Sequence, residues 1–265
     1  MADRAKRVMV TGAATGIGEA IVDECVEEGH RVLAVDIDLD GLEALARKWP
    51  RIEVCVLDVA DDRAWKEVVA QEEARDGPID VLVNNAGICS PGRCDQVSAR
   101  DDRLTVEVNL MGVMHGVRTL LPLFLERGRG HFINVASMAA FAPAPDLAAY
   151  CATKHAVRAY THSCALDHRH TNVHWTLACP SAVETPMLQS MREKRAGVVV
   201  FTEKPMPPGR FAREVVRAIK TPQREVLVPP VRGRLIRLFG LFPGLVARGM
   251  DEAEKRGRAA LDEED

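Results

Sequence analysis

The stretch that decides the fold is Val8-Met9-Val10-Thr11-Gly12-Ala13-Ala14-Thr15-Gly16-Ile17-Gly18. A short β-branched run enters a turn with three glycines, and a helical pattern follows directly. Glycine tolerates φ > 0, lets backbone approach a ligand and lets a helix lie close to a sheet. The helix N-terminus would offer free N–H groups to a diphosphate. The turn alone leaves two interpretations open, a dinucleotide site or a turn without a ligand, because its spacing differs from G-x-G-x-x-G.

Strand and helix patterns alternate along the rest of the chain. Strands are predicted at 7–11, 31–35, 53–57, 81–83, 131–135, 173–178 and 225–228, and helices at 16–28, 39–48, 61–76, 103–127, 147–169 and 212–220. This alternation predicts an α/β fold of the Rossmann type, a doubly wound parallel sheet between two helical layers, in a single domain.

The last predicted strand, 225–228, marks the end of the alternating region and therefore the boundary of the domain. We expect a dinucleotide-binding catalytic domain over 1–230, with a substrate-loop or lid insertion at 187–210. An apolar and basic extension with an acidic tail covers 231–265, and the charged residues 251–265 predict a frayed, solvated helix and tail. The apolar and basic stretch 231–246 could cover the active site, form a subunit interface or lie on a membrane surface.

Composition excludes several classes of protein. The net charge of −3 gives no support to a nucleic-acid partner. Seven cysteines, an odd number without a C-x-x-C pair, argue against a disulfide framework and a zinc site, so we expect no metal and a reducing, cytoplasmic compartment. The first residues lack the apolar segment of a signal peptide, and no apolar run reaches the ~18 residues of a transmembrane helix.

An acidic residue, Asp36, ends the second predicted strand, 18 residues after Gly18. At this offset a carboxylate can bind both ribose hydroxyls of an adenosine, and it would repel a 2′-phosphate. Neither Thr15 nor Ile37 supplies the cation that a 2′-phosphate needs. The pattern favours NAD over NADP; the alternative is a solvated strand-end aspartate or helix cap.

Tyr150 and Lys154 lie one helical turn apart on one face of a predicted helix. A nearby ammonium lowers the pKa of a phenol, so Tyr150 could exchange a proton near neutral pH. Ser137 ends the preceding strand, where its hydroxyl could hold a substrate oxygen. The alternative is a chance pair on an exposed helix, but the only other tyrosine, Tyr160, has Cys164 in place of a lysine.

Five motifs occur together in a fixed order: Thr11-Gly12-x3-Gly16-Ile17-Gly18, Asn84-Asn85-Ala86-Gly87, Asn109, Ser137 and Tyr150-x3-Lys154. In this order and at these intervals they strongly resemble the classical short-chain dehydrogenases/reductases, over residues 7–228. The resemblance implies an NAD-dependent oxidoreductase that interconverts a secondary alcohol and a ketone. The alternatives are an NADP-dependent carbonyl reductase of the same family and a non-catalytic NAD-binding regulatory protein.

The resemblance also implies roles for four catalytic residues. Tyr150 would be the general acid/base, and Lys154 would lower its pKa and bind the nicotinamide ribose. Ser137 would orient and polarise the substrate oxygen. Asn109 would interrupt a long helix and hold a water that links the lysine to solvent.

Cofactor-binding residues follow from the same resemblance: Gly12, Thr15, Gly16, Ile17, Gly18, Asp36, Asp58, Val59, Asn84, Ala86, Gly87, Tyr150, Lys154, Pro180, Val183 and Thr185. Ser181 departs from the family's pattern, because glycine is usual there and a required φ > 0 would strain serine. The resemblance makes a homo-oligomer, a dimer or tetramer, the expected assembly.

Substrate contacts are predicted from three segments, 88–93, 138–147 and 187–208. They offer the mostly apolar side chains Cys89, Met138, Phe141, Met187, Leu188 and Met191. Such a wall suits an apolar secondary alcohol or ketone, and ordinary loop packing is the other interpretation.

Overall fold

Seven parallel strands form one sheet, in the order β3-β2-β1-β4-β5-β6-β7, in the computed structural model, which describes residues 5–263. The first four residues of the predicted 1–230 domain and the last two of the predicted acidic tail lie outside the described residues. The strands are β1 Arg7–Thr11, β2 Arg31–Asp36, β3 Glu53–Val56, β4 Val81–Asn84, β5 Gly130–Val135, β6 Val173–Pro180 and β7 Glu225–Val228.

Helices cover both faces of the sheet, so the predicted doubly wound architecture is confirmed. They are α1 Gly16–Glu27, α2 Leu39–Lys48, α3 Asp62–Asp76, α4 Ala99–Val106, α5 Gly112–Glu126, α6 Ala148–Asp167, α7 Pro186–Glu193, α8 Pro208–Lys220, α9 Pro230–Phe239 and α10 Pro243–Asp262. The helix predicted at 103–127 begins earlier, because Ser98 accepts a hydrogen bond from the Asp101 N–H and caps α4. A π-helical turn, Glu107–Met111, joins α4 to α5.

The core has two layers because alternate strand residues point to opposite faces. Val8 and Val10 of β1 pack with Ile21 of α1 and with the apolar face of α8. Met9, between them, packs on the other side with Trp65 and Phe124. The result is a sheet covered on both faces, as its continuous apolar strands require.

The position of the ligand crevice follows from the strand order. β1 lies between β2 and β4, so the chain winds in opposite directions on the two sides of β1. In open parallel sheets the connections diverge at this switch point and leave a crevice at the carboxyl ends of the strands. The glycine turn, Asp36 and Ser137 all lie at the carboxyl ends of strands at that edge.

The C-terminal extension is ordered differently from the prediction. Residues 251–262 belong to the regular helix α10 and are not frayed, although most of them are exposed to solvent. Leu261 is 2% exposed, and a Cβ at Gly257 would lie 2.0 Å from the carbonyl oxygen of Val198, so α10 packs closely on the lid region. The charges that suggested fraying pair along the outer face, for example Arg256 with Glu252.

One continuous helical stretch, Ala99–Glu126, is long and apolar enough to cross a membrane by length and composition. Its hydropathy has another explanation, because Val117, Leu120 and Phe124 are buried against the sheet. The stretch is therefore accounted for as a core helix of the Rossmann layer.

Candidate active site

A cavity of about 920 Å³ lies at the carboxyl ends of the strands. Its walls run from the glycine turn after β1, past the ends of β4, β5 and β6, to the C-terminal helices α9 and α10. Most of the residues predicted to bind cofactor line it: Gly12, Thr15, Gly16, Ile17, Asp36, Asp58, Val59, Ala86, Gly87, Tyr150, Lys154, Pro180, Val183 and Thr185. The topology therefore brings together residues that lie far apart in the sequence.

The glycine turn is built by close backbone contacts. Gly12 and Gly16 have φ of +63° and +62°, which favour glycine. A Cβ at Gly12 would lie 2.7 Å from Ala86 Cα, and one at Gly18 only 1.8 Å from the Gly12 carbonyl oxygen. Gly18 does not line the cavity; it lets α1 lie close to the turn.

Thr11 and Asn85 hold this turn in place. The Thr11 hydroxyl accepts hydrogen bonds from the N–H groups of Asn85 and Ala86, at 3.0 and 3.1 Å. Asn85 Nδ2 donates to the carbonyl oxygens of Thr11 and Gly12. The β1 and β4 loops therefore form one rigid floor.

Asn84, a predicted cofactor residue, has a different position. It is buried, and its Nδ2 donates to Asn134 Oδ1 at 2.8 Å across β4 and β5. Its side chain belongs to the interior, while Asn85 lines the cavity. Asn84 and Asn85 differ in direction because successive residues of a strand face opposite sides of the sheet.

The N-terminus of α1 provides unsatisfied donors. Thr15 is the N-cap residue and makes no side-chain capping bond. The first N–H groups of a helix have no intrahelical partner, and the helix dipole places positive charge there. Thr15, Gly16 and Ile17 all line the cavity, so this end of α1 fits a diphosphate group.

Asp36 lies at the cavity rim in a defined orientation. Its Oδ2 accepts from the Ala14 N–H at 2.9 Å, and its Oδ1 from the N–H groups of Ile37 and Asp38. A carboxylate has about four acceptor sites, so capacity remains for a hydroxyl donor. Among the described residues that line the cavity, the only Lys or Arg side chains are those of Lys154 and Arg232, and neither pairs with Asp36. The rim therefore fits an adenosine ribose.

Further predicted cofactor residues are held by local bonds. Asp58 Oδ1 accepts from the Ala60 N–H at 2.9 Å, and the Thr185 hydroxyl accepts from Leu188 N–H at 3.3 Å as the N-cap of α7. Ser181 does not adopt the positive φ that would strain a serine. Among residues 5–263, only Asp146 and Arg195 are non-glycine residues with positive φ.

Ser137 and Tyr150 meet at the base of the cavity. Ser137 follows β5, and its hydroxyl makes a side-chain hydrogen bond with the Tyr150 phenol. It also accepts from the Ala139 N–H at 3.1 Å, which fixes its position. A hydroxyl or carbonyl oxygen of a small molecule would find two O–H groups converging there.

Lys154 is 4% exposed and lies beneath the tyrosine. Its Nζ donates to the Val135 carbonyl oxygen at 3.1 Å and lies 5.5 Å from the centre of the Tyr150 ring. Burial lowers the pKa of Lys154 from 10.5 to about 8. The amine is therefore predominantly protonated at neutral pH and loses its charge in mildly alkaline solution.

Tyr150 departs from the sequence-based expectation that its pKa would be lowered. Burial raises the pKa of the Tyr150 phenol well above its ordinary value, the neighbouring Cys89 acts in the same direction, and the Ser137 hydrogen bond opposes them. Desolvation of the phenolate outweighs the other influences. The phenol is therefore protonated at neutral pH.

Asn109 lies inside the π-helical turn and is fully buried. Its Oδ1 accepts from the Ile88 N–H at 2.7 Å, and its Nδ2 donates to the Ile88 carbonyl oxygen at 2.9 Å. A longer bond joins Nδ2 to the Thr153 hydroxyl, at 3.3 Å. The side chain thus connects the loop after β4 to α6, which carries Tyr150 and Lys154.

The outer half of the cavity has a mostly apolar wall. Five of the six predicted substrate residues line it: Cys89, Met138, Met187, Leu188 and Met191. Phe141 does not; it is buried in the core, where Arg158 lies 4.6 Å from the centre of its ring. Phe141 lies one turn after Ser137, and at that position the side chain points into the core and not into the cavity.

The extension contributes wall residues that the substrate predictions missed. They are Arg232, Ile236, Phe239, Leu245, Val246, Gly249, Met250 and Ala253. The signal was the apolar stretch 231–246, for which covering the active site was one of three interpretations.

One acidic cluster needs a different explanation from metal binding. Among residues 5–263, only Glu53, Glu72 and Asp76 have ligand atoms close enough to share an ion. The guanidinium of Arg7, which is 2% exposed, pairs with all three carboxylates. Arg7 already supplies the positive charge that this cluster requires.

Comparison with known proteins places this site in a family. The model of the short chain dehydrogenase family matches residues 6–196. A 2,3-dihydro-2,3-dihydroxybenzoate dehydrogenase from Bacillus subtilis is 33% identical over 190 residues, covering 70% of this chain and 73% of the relative.

Solved structures agree with the sequence match. A short-chain dehydrogenase/reductase from Burkholderia phymatum, in complex with NAD, superposes with a TM-score of 0.79 at 27% identity, covering 88% of this chain and 92% of that one. An actinorhodin polyketide ketoreductase with NADPH superposes with a TM-score of 0.78 at 28% identity, covering 84% and 95%. The protein therefore belongs to the classical short-chain dehydrogenase/reductase family of oxidoreductases.

Proposed function

We propose that this oxidoreductase interconverts an apolar secondary alcohol and its ketone with NAD, and that Tyr150 transfers the proton. The observation that carries the proposal is the convergence of Ser137, Tyr150 and Lys154 at the base of one cavity. The outer wall of that cavity, with Met138, Met187 and further apolar side chains, supports an apolar substrate.

Structural neighbours that bind NAD or NADPH support a nicotinamide cofactor. Bound at the glycine turn, it would accept a hydride from the carbinol carbon or return one to the ketone. The free N–H groups at the start of α1 would hold its diphosphate, and Asp36 would hold the adenosine ribose. The absence of an ion pair to Asp36 among the described residues supports NAD over NADP.

Side chains of this protein donate and accept the proton of the reaction. Ser137 and Tyr150 donate hydrogen bonds to the ketone oxygen, and Tyr150 Oη gives up its proton as the alcohol forms. The Lys154 ammonium stabilises the resulting phenolate. Only one of its three N–H groups is used by Val135, so the others remain able to bind a ribose hydroxyl or pass on a proton.

Asn109 acts at a distance from the reacting atoms. Its amide holds Ile88, next to Gly87, and so fixes the loop that forms one wall of the nicotinamide region. A proton relay from Lys154 through a water held at Asn109 stays part of this proposal. Seven free cysteine thiols support a reducing compartment such as the cytoplasm.

The test is an assay of reduced nicotinamide with NAD and NADP against a panel of apolar secondary alcohols and ketones. Tyr150→Phe should lower kcat by about 10²–10⁴-fold while NAD still binds, because only the transferable proton is lost. Tyr160→Phe is the matched control on the same helix and should leave kcat unchanged.

Three outcomes would contradict the proposal. Retained turnover in Tyr150→Phe would exclude Tyr150 as the proton carrier. Tight NAD binding by the wild-type protein without turnover of any panel member would favour the alternative function, a regulatory NAD-binding protein. Faster turnover with NADP would favour the other alternative, an NADP-dependent carbonyl reductase.

A further inference from the structure

Helix α9 carries apolar side chains on its solvent side as well as on the side that faces the protein. Its solvent side carries Val231, Leu235 and Leu238, which are 67%, 49% and 54% exposed. These residues recur at helical spacing on one face. These three side chains therefore form an apolar face that points away from the fold, opposite the inward Ile236.

Gly233 and Ile236 lie on the side of α9 that packs on the protein. A Cβ at Gly233 would lie 2.8 Å from Leu227 Cβ, and one at Gly240, just after the helix, would lie 1.9 Å from the Phe141 carbonyl oxygen. Glycines at both contacts bring the backbone close to the fold. The leucines are thus not needed to hold α9 in place.

The exposed apolar surface continues through the turn into α10. Leu241, Phe242 and Leu245 are 71%, 51% and 51% exposed. Successive backbone bonds, such as Leu245 N–H to the Phe242 carbonyl oxygen, keep this turn compact. We call the exposed side chains of Val231, Leu235, Leu238, Leu241, Phe242 and Leu245 the apolar tip.

The segment that carries the apolar tip is basic. Residues 230–250 contain four arginines and no acidic residue, in a chain whose net charge is −3. Arg232 and Arg237 pair with Glu203 and Glu225. Arg234 and Arg248 are exposed and form no ion pair among the described residues. The acidic residues of α10 begin only at position 251.

The mouth of the substrate cavity opens beside this tip. Phe239 and Leu245 line the cavity, yet each is about half exposed. They therefore connect the apolar wall around Met187 and Met191 with the outer apolar surface. An apolar molecule entering there would cross little polar surface.

We propose that the apolar tip docks on an anionic lipid surface, with the cavity mouth turned toward the lipid. Exposed leucine and phenylalanine would enter the interface, while Arg234 and Arg248 would meet the headgroups. A second copy of the chain fits less well, because a twofold contact would oppose arginine-rimmed patches of the same sign. The role of the mouth in substrate entry rests on the proposed function; the docking itself does not.

Vesicle co-sedimentation tests the docking without turnover. The full chain should sediment with vesicles of equal parts phosphatidylserine and phosphatidylcholine, and weakly with phosphatidylcholine alone. Leu235→Ser with Leu238→Ser should lower the partition coefficient about tenfold or more, because both side chains leave the interface. Leu166→Ser, which changes an exposed leucine on α6, is the matched control and should not alter binding.

Charge is tested separately. Arg234→Glu with Arg248→Glu should weaken binding to anionic vesicles and leave the weak binding to phosphatidylcholine unchanged. Turnover of a water-miscible alcohol should be unaffected in both double variants, since none of these four residues lines the cavity.

Wild-type protein that stays in the supernatant with both vesicles would overturn the docking proposal. So would sedimentation-equilibrium data in which the wild type forms a dimer that Leu235→Ser with Leu238→Ser dissociates. Lipid binding without any dehydrogenase activity would instead contradict the proposed function and leave the docking intact.

Discussion

The side-chain amide of Asn109 closes on both backbone groups of Ile88, accepting its N–H at 2.7 Å and donating to its carbonyl oxygen at 2.9 Å. Asn109 is fully buried, and Ile88 is partly buried beside the cavity. One buried amide thus fixes the loop that borders Gly87, and the π-helical turn is what points that amide inward.

Asn109→Ala should lower the free energy of unfolding by about 1–3 kcal/mol, because it leaves the partly buried N–H and carbonyl oxygen of Ile88 without their side-chain partner. Asn109→Asp keeps the size but loses the donor, and should be similarly destabilising at neutral pH. Chemical denaturation monitored by circular dichroism measures both. Asn172→Asp at an exposed site is the control. An unchanged midpoint in both Asn109 variants would exclude this structural role.

Reduction of the ketone should slow above about pH 8. The pKa of Lys154 is lowered to about 8, so the charge that stabilises the Tyr150 phenolate is present below that pH and lost above it. Lys154→Arg should remove this alkaline decline in whatever activity it retains, because a guanidinium stays charged. The measurement is reductive kcat/KM between neutral and alkaline pH; an unaltered decline in Lys154→Arg would assign it to another group.

Oxidation of the alcohol should show the opposite trend: its kcat/KM should continue to rise with pH through the alkaline range. Burial raises the pKa of Tyr150, so the phenolate that accepts the proton from the alcohol is scarce at neutral pH. Oxidative kcat/KM measured over the same range tests this, with buffers of constant ionic strength. A plateau already at neutral pH would show that cofactor or substrate binding reverses the effect of burial.

Asp36→Ser should weaken NAD binding about 10-fold or more, since a charge-assisted hydrogen bond to the ribose is lost. NADP should be affected less or bind more tightly, because the repulsion of its phosphate disappears. Fluorescence titration of both cofactors measures the ratio. Asp38→Asn, at the cap of α2 and outside the cavity wall, is the matched control. Equal losses of affinity for NAD and NADP would show that the substitution disrupts the cavity rim as a whole, and would contradict a role of Asp36 in choosing the cofactor.

Acid should destabilise the fold through His131. Burial lowers the pKa of His131 from 6.5 to about 3, so the folded state favours the neutral ring. The stabilisation is complete above pH 6.5 and is lost as pH falls from 6.5 toward 3, at no more than about 1.4 kcal/mol per pH unit.

His131→Gln should therefore flatten the dependence of unfolding free energy on pH below 6.5. Glutamine retains a partner for the Thr176 hydroxyl, which lies 2.8 Å from His131 Nε2. Denaturant titrations at several pH values give the slope. The exposed His170→Gln is the control, and an identical slope in His131→Gln would place the acid sensitivity elsewhere.

Most of the fold could be predicted from local patterns. The glycine turn, the strand-end residues and the Tyr150–Lys154 spacing depend on short-range geometry, which periodicity and φ preference report directly. The doubly wound parallel sheet followed as well, because right-handed crossovers leave few ways to arrange alternating strands and helices; the order of its strands came only from the structure.

The direction of side chains near the ends of strands and helices was harder to predict from the sequence. Asn84 faces the interior and Asn85 the cavity because one residue of register separates them. Phe141 turns into the core and Ser181 takes an unstrained backbone, and neither result depends on the residue type alone. These are outcomes of packing around each residue.

The sequence by itself determined the parallel sheet, the glycine turn and the residues available for proton transfer, because each rests on spacing along the chain. Only the tertiary structure decided what surrounds them. Burial raised the pKa of Tyr150 where the neighbouring lysine predicted a decrease, since desolvation depends on every atom packed nearby. The same holds for α9 and α10: their apolar composition is local, but which residues line the cavity and which face outward depends on how the helices pack against the rest of the protein.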